Sequence, residues 1–395
     1  MLLALLGRAL AAQDVRSGRV ALLLERVQGE HADARVAREI GRLGQAGLAE
    51  ILELLARSGP SALEPVRRAT LGQAIGLSSR ALVREFLRRS SAETGTPERD
   101  AALLWMYGAL EDPASLVPMA RVANRAPLET GLVFRESVAR TLAKQPEACS
   151  AATEVGRVAE DLLLPFLAEA VGDAGAPEGL RALVSMLHRT DECDLVVLQQ
   201  VARIAARIPV PFDEEVSSSV RQLLRSATGA NLVACVVALG TLEDIESAST
   251  LTEFLEAPDP QLSSVSLDAL RRIGKQTFPA RRSLWEVWLQ DEERWWSEEA
   301  PALLGKLGEG ELPDVVQRLR LLSAHGLHRH ATAAEVCALL EHEDPQVRRL
   351  ACITLGNLGS PLAVEALRTA TQIEDTAAEA HGALALLGEE GSRPD

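Results

Sequence analysis

Leu339–Gln372 reads LLEHEDPQVRRLACITLGNLGSPLAVEALRTATQ. Asp344 is a natural helix N-cap, and Pro345 suits the first helical position, where no amide hydrogen is needed. Val347, Leu350, Ala351 and Leu355 follow at three- and four-residue spacing, which predicts one apolar stripe on a helix. Gly359 then closes the helix, because glycine adopts the left-handed conformation at no steric cost. Ser360-Pro361 opens a second helix with Val364, Leu367 and Ala370 as its stripe. The stretch is a hairpin of two short amphipathic helices, neither of which can bury its apolar face alone.

The rest of the chain repeats this unit. A helix-ending landmark recurs at Leu43-Gly44, Ile75-Gly76, Tyr107-Gly108, Leu142-Ala143, Val171-Gly172, Leu239-Gly240, Ile273-Gly274, Leu307-Gly308, Leu358-Gly359 and Leu387-Gly388. From 44 to 76 and from 76 to 108 the step is 32 residues; from 240 to 274 and from 274 to 308 it is 34. The 172-to-240 interval is twice 34, and its middle falls at Ala206-Arg207, before a Pro-Val-Pro rather than a glycine. His325-Gly326 breaks the rhythm 18 residues after Gly308. The period predicts about eleven helix pairs, with an irregular junction over about 280–325.

The pattern Asp344-Pro345-Gln346-Val347-Arg348 followed by Leu355-Gly356-Asn357-Leu358-Gly359 resembles the short HEAT-like repeats of bacterial proteins, the phycobilisome-lyase type. Ala257-Pro258-Asp259-Pro260, followed by Leu270 to Gly274, is a looser match. The motif resemblance covers about residues 230–390; further upstream only the periodicity remains. It implies an all-α solenoid, a curved superhelix of helix hairpins whose concave face is lined by each pair's second helix. Residues 15–388 are expected to form one continuous array. Residues 1–14 are read as a frayed first helix or the remnant of an export signal, and 389–395 as a frayed tail.

Composition narrows the function classes. The chain has 395 residues, 47% hydrophobic and 25% charged, which is ordinary for a folded protein. Aromatic content is only 3%, so the apolar mass is aliphatic. The net charge of −15 repels a phosphate backbone, and nucleic acid is not an expected partner. Five scattered cysteines (Cys149, Cys193, Cys235, Cys337, Cys352) predict neither a disulfide framework nor a structural zinc site. No apolar run is long enough to span a bilayer. A cytoplasmic monomer is expected, or an exported one if the N-terminus is a signal.

No phosphate loop, dinucleotide fingerprint, nucleophile elbow or metalloprotease helix is present. No catalytic residue, cofactor or metal ligand is expected. His325, His328 and His330 in AHGLHRH read as a polar turn with one capping histidine. The runs Asp213-Glu214-Glu215, Asp291-Glu292-Glu293 and Glu298-Glu299 read as solvated acids at helix starts or loops. Trp285, Trp288, Trp295 and Trp296 are four of the five tryptophans and fall where the rhythm slips. With Arg281 and Arg282 they are either filler for a wider gap or a partner-binding patch, since Trp and Arg are favoured at interface centres. The expected function is a non-catalytic scaffold for protein partners. The resemblance leaves two enzyme alternatives: bilin attachment or removal, and base excision by HEAT-like glycosylases, which use Trp and Asp and which the Trp cluster with Asp291 superficially matches.

Overall fold

The computed structural model describes residues 18–207 and 213–388. Residues 1–14, read as a frayed first helix or export-signal remnant, the 389–395 tail and the Pro209-Val210-Pro211 stretch lie outside them. Among the described residues there are 23 α-helices and no strand, an all-α solenoid. They fall into two compact units, divided between Ile204 and Ala205.

The first unit contains α1 Arg19–Leu24, α2 Ala34–Gly41, α3 Gly44–Ser58, α4 Pro65–Leu77, α5 Arg80–Ser91, α6 Pro97–Leu110, α7 Leu116–Ala123, α8 Pro127–Lys144, α9 Ala152–Val158, α10 Leu164–Ala174, α11 Gly179–Val184 and α12 Asp191–Ala205. The second contains α13 Glu214–Leu224, α14 Gly229–Thr241, α15 Ala248–Glu253, α16 Pro260–Gly274, α17 Arg282–Glu298, α18 Ala300–Leu304, α19 Leu312–Ala324, α20 Arg329–Cys337, α21 Pro345–Leu358, α22 Val364–Ala370 and α23 Ala377–Leu386. In the first unit α2, α4, α6, α8 and α10 stack side by side in one layer, and α1, α3, α5, α7, α9 and α11 in a second. In the second unit α14 packs on α16, α19 on α21, and α21 on α23.

The hairpin that decides the fold is built as its sequence requires. The Asp344 carboxylate accepts from Gln346 N at 2.8 Å, Pro345 opens α21, and Gly359 ends it at φ +66°. Val347, Ala351 and Leu355 are buried in one core with Leu367, Ala370 and Ala383; Leu350 and Val364 pack half-buried at its edge. Arg348 donates to the carbonyl of His342 at 2.6 Å and pairs with Asp375, tying the hairpin to its neighbour. Asp33, Asp213 and Asp259 cap α2, α13 and α16 in the same way as Asp344.

The landmark glycines need correction. Gly44, Gly359 and Gly388 have the positive φ of a helix terminator. Gly76, Gly108, Gly172 and Gly240 lie inside their helices. At Gly108, Gly240 and the helical Gly356 the use is proximity: a Cβ on Gly108 would stand 2.7 Å from Ser137 Cα, one on Gly240 2.5 Å from Ala269 Cβ, and one on Gly356 2.9 Å from Ala383 Cα, whereas one on Gly76 would meet nothing within 4 Å. In each of the three close contacts the neighbour lies on the next helix of the same layer. The left-handed position comes three residues later. It is Gly175 after Gly172 and Gly359 after Gly356, but Glu111 (φ +52°) after Gly108 and Glu243 (φ +51°) after Gly240.

None of the five cysteines forms a disulfide. Burial pushes the thiols of Cys149 and Cys352 up to about 11 and that of Cys193 to about 12. They act as small core residues. No helix among the described residues is long and apolar enough to cross a membrane.

Two glycines separate packing from propensity. Gly240→Ala is expected to lower stability by roughly 1–3 kcal/mol through overpacking. Gly382→Ala, in α23, meets nothing within 4 Å, and is expected to raise stability by up to about 1 kcal/mol. Urea unfolding of both variants reads the difference; equal effects at the two sites would remove the close-approach account.

Candidate functional site

The irregular junction in the second unit is where the tryptophans and histidines meet. Trp285 is fully buried; its indole N–H donates to the Pro279 carbonyl at 3.1 Å, and its ring stands edge-on to Phe278 and Trp288. Trp288 is half-buried and lies over Gly274, where an added Cβ would be 2.3 Å from the ring. Buried Trp295 stacks on His325 with centroids 3.6 Å apart, and half-buried Trp296 stacks on His328 at 4.2 Å. Arg281 is exposed, and Arg282 pairs with Glu286 at 2.7 Å. Of the six residues of the sequence-derived patch, Trp285 and Trp295 are therefore core, whereas Trp288, Trp296 and the two arginines keep surface.

The three histidines each have a specific partner; His325 holds the C-cap position of α19 and His328 the N-cap position of α20, the latter without a side-chain capping bond. His325 Nδ1 lies 3.0 Å from Glu292 Oε1, and the other oxygen of Glu292 accepts from Leu327 N at 3.3 Å. Glu292 is buried in the middle of α17, so the solvated reading of Asp291-Glu292-Glu293 fails at its central residue. Its helical neighbours Asp291 and Glu293 face solvent, while Glu292 shares the inward face with Trp285, Leu289 and Trp295.

His330 and Arg329 converge on Glu243. Arg329 is 1% exposed. It pairs with Glu243 and donates to the carbonyls of Arg272 (3.0 Å), Gly326 (3.2 Å) and Ile273. The guanidinium thus closes the end of α16 while neutralising a carboxylate held on a left-handed backbone. Burial raises the Glu243 carboxyl, but the hydrogen bond from His330 and the charges of Arg329 and Lys275 outweigh it and hold it below the usual range. Burial depresses His330, so its imidazole is neutral. His330 Nε2 is 2.7 Å from Glu243 Oε2, and Nδ1 is 2.8 Å from Ser360 Oγ. A neutral ring satisfies both contacts when Nε2–H donates to the carboxylate and Nδ1 accepts from the hydroxyl. Carboxylate, imidazole and hydroxyl stand in the order of a nucleophilic triad. Ser360 is fully buried, however, so no substrate reaches its oxygen and the arrangement braces α20 against the next hairpin.

Beside this brace lies a cavity of about 510 Å³. Leu242, Ile245, Ala331, Ala334 and Leu362 supply its apolar walls, with Glu243, His328 and His330 on one side and Glu214, Asp244 and Glu246 on the other. Arg221 ties the three acids together, reaching Glu246 at 2.9 Å. The result is a concavity lined by apolar and acidic side chains. Sequence reasoning located the junction but not Glu243, whose role depends on its backbone conformation and on partners 86 and 87 residues away.

Residues 333–394 match the family model of HEAT repeats. Among solved structures, the chain is similar to the karyopherin Kap121p bound to the SUMO protease Ulp1p, at 13% identity over 93% of this chain and 45% of that one, with a TM-score of 0.40. It is similar too to Kap121p alone (12%, 97% and 47%, 0.39) and to Kap121p bound to the extreme C-terminus of the protein phosphatase Cdc14p (11%, 94% and 44%, 0.38). The chain spans less than half the length of these structures. No curated protein matches it.

Two outcomes are expected from the brace. Arg329→Met removes the buried guanidinium from Glu243 and from the carbonyls of Arg272 and Ile273, and should cost roughly 3–5 kcal/mol in urea unfolding; adding Glu243→Gln should restore part of that. Burial lowers His328 to about 4, from an ordinary value of 6.5. Its stabilising contribution is therefore complete above pH 6.5 and is lost as pH falls toward 4, because the unfolded state takes up the proton first. His328→Phe should keep the stack on Trp296 and flatten the fall in melting temperature over that window. An unchanged pH profile would show that His328 is not held neutral.

The helical hairpin capped by Asp344 and closed by Gly359 falls within the residues, 333–394, that match the HEAT-repeat model, and the described residues as a whole form an all-α solenoid.

Proposed function

We propose that the chain is a non-catalytic scaffold that binds segments of protein partners, with the cavity beside Glu243 as one binding site. The observation that supports this reading most is the cavity itself: about 510 Å³, apolar at its base, acidic at its rim and walled by residues already locked in hydrogen bonds. Preformed pockets of this size and lining hold an anchoring side chain with little ordering cost. An aliphatic anchor flanked by Arg or Lys complements the Leu242–Ile245–Leu362 base and the Glu214–Glu246 rim. Half-buried Trp288 and Trp296, with Arg281 and Arg282, extend the candidate surface along α17. The net charge of −15 favours a polypeptide over a nucleic acid. The Asp344-Pro345 to Gly359 motif supports placing these repeats with the short bacterial, phycobilisome-lyase type.

The test is peptide display against the intact protein. Enrichment of sequences pairing an aliphatic residue with Arg or Lys is expected, with binding reduced at least tenfold by Ala331→Arg, which fills the cavity. Enriched peptides that bind the filled variant unchanged would remove the cavity from the site, and tight, salt-sensitive binding of duplex DNA would contradict the scaffold reading.

A further inference from the structure

The first unit carries a groove of opposite character. A cavity of about 520 Å³ is bounded by α4, by α6 with the left-handed Glu111 that follows it, and by α8. Trp105 is 4% exposed and forms part of its floor, with the Arg140 guanidinium 6.0 Å above the ring. Gly72 and Gly76, one turn apart on α4, leave the opposite wall bare; a Cβ on Gly76 would meet nothing within 4 Å. Arg68 and Arg140 both line this space, and both are half-buried.

Neither arginine has an ion pair among the described residues. Nearby arginines of the same unit do: Arg135 is 2.8 Å from both Glu169 and Asp173, and Arg203 is 2.8 Å from Asp173. Two half-buried guanidinium groups line one cleft, and the one acid in its lining, Glu111, pairs with neither, which leaves the site electrostatically incomplete. The buried Trp105 indole N–H also lacks an acceptor. The groove does not end there. A second cavity of about 450 Å³ shares Arg140 and continues along α8 past Leu132 to Asp173. Leu132 is 65% exposed and Leu128, one turn earlier on the same helix face, 74%.

We propose that this groove binds an acidic polypeptide segment, whose Asp or Glu carboxylate sits between Arg68 and Arg140 and whose neighbouring aliphatic side chain covers Leu132 and Leu128. The arginine pair selects an oxyanion, because planar guanidinium forks match a carboxylate. The exposed leucines select a polypeptide, since a free anion has no use for them. Glu111 lines the same cavity and sets a like charge beside the incoming carboxylate, so it tunes affinity downward. The inference deepens the scaffold reading and rests on it, but concerns a separate unit and the opposite partner charge.

The experiment is fluorescence anisotropy of the intact protein with short labelled peptides that pair Leu with Asp or Glu at varied spacing, each beside its Asn or Gln counterpart. Acidic peptides should bind about tenfold or more tightly than their amide counterparts. Arg68→Gln and Arg140→Gln should each weaken binding about tenfold or more, Gly76→Leu should block the cleft, Leu132→Ser should weaken acidic and amide peptides alike, and Glu111→Gln should strengthen binding of the acid forms. Arg89→Gln, an exposed arginine elsewhere, and Ala331→Arg in the second unit should change nothing. The proposal is overturned if acid and amide peptides bind equally, if Arg68→Gln and Arg140→Gln bind as the parent does, or if inorganic phosphate or duplex DNA occupies the groove in preference to every peptide. Self-association abolished by Arg140→Gln would likewise overturn it, with a second copy as the occupant. Loss of binding in Ala331→Arg but not Arg140→Gln would leave the second-unit cavity standing and remove this one.

Discussion

The stacking of α6 on α8, α14 on α16 and α21 on α23 depends on helices approaching until not even a methyl fits between them. Gly108 against Ser137, Gly240 against Ala269 and Gly356 against Ala383 are the contact points. At these distances dispersion contacts between backbones replace interdigitated large side chains. That constraint accounts for a chain with 3% aromatic content and an Ala- and Leu-rich core. It also bears on why the period persists where the Asp-Pro cap is missing: at Gly108, Gly240 and Gly356 the glycine is needed for packing, whereas a cap can be supplied by Asp33, Thr96 or Asp213.

At four helix ends the left-handed residue follows the glycine at the same offset. Three residues after Gly172 and Gly356 the chain leaves the helix through a left-handed glycine; after Gly108 and Gly240 it does so through a glutamate. A glutamate there costs on the order of 1 kcal/mol more than glycine. Both glutamates line a large cavity, one in each unit. Glu243 is secured by Arg329, His330 and Lys275, while Glu111 makes no ion pair. Strained positions persist where something else is gained, and here the gain is a carboxylate aimed at a concavity.

The hairpin Leu339–Gln372 was legible down to its cap, its stripe and its terminating glycine, because each signal is local. The glycine landmarks were legible as a rhythm but not in their role, since a close helix contact and a helix end leave the same letter in the sequence. The junction announced itself through its tryptophans and its broken spacing. Its internal pairing did not: Trp295 with His325, Trp296 with His328 and Arg329 with Glu243 join residues 30, 32 and 86 positions apart, and neither composition nor periodicity carries such pairings. Glu292 was misread because a buried acid looks like its solvated neighbours until the histidine that holds it is in place.

The two concavities formed where a left-handed glutamate ends a stacked helix are the proposed binding sites. Hydrogen–deuterium exchange of the intact protein, with and without a saturating display-selected peptide, tests this most directly. The account predicts added protection at Glu243 to Glu246 and Ala331 to Ala334 for basic peptides, and at Arg68 to Leu77 and Leu132 to Arg140 for acidic ones. Protection confined to helices that border neither cavity would contradict it.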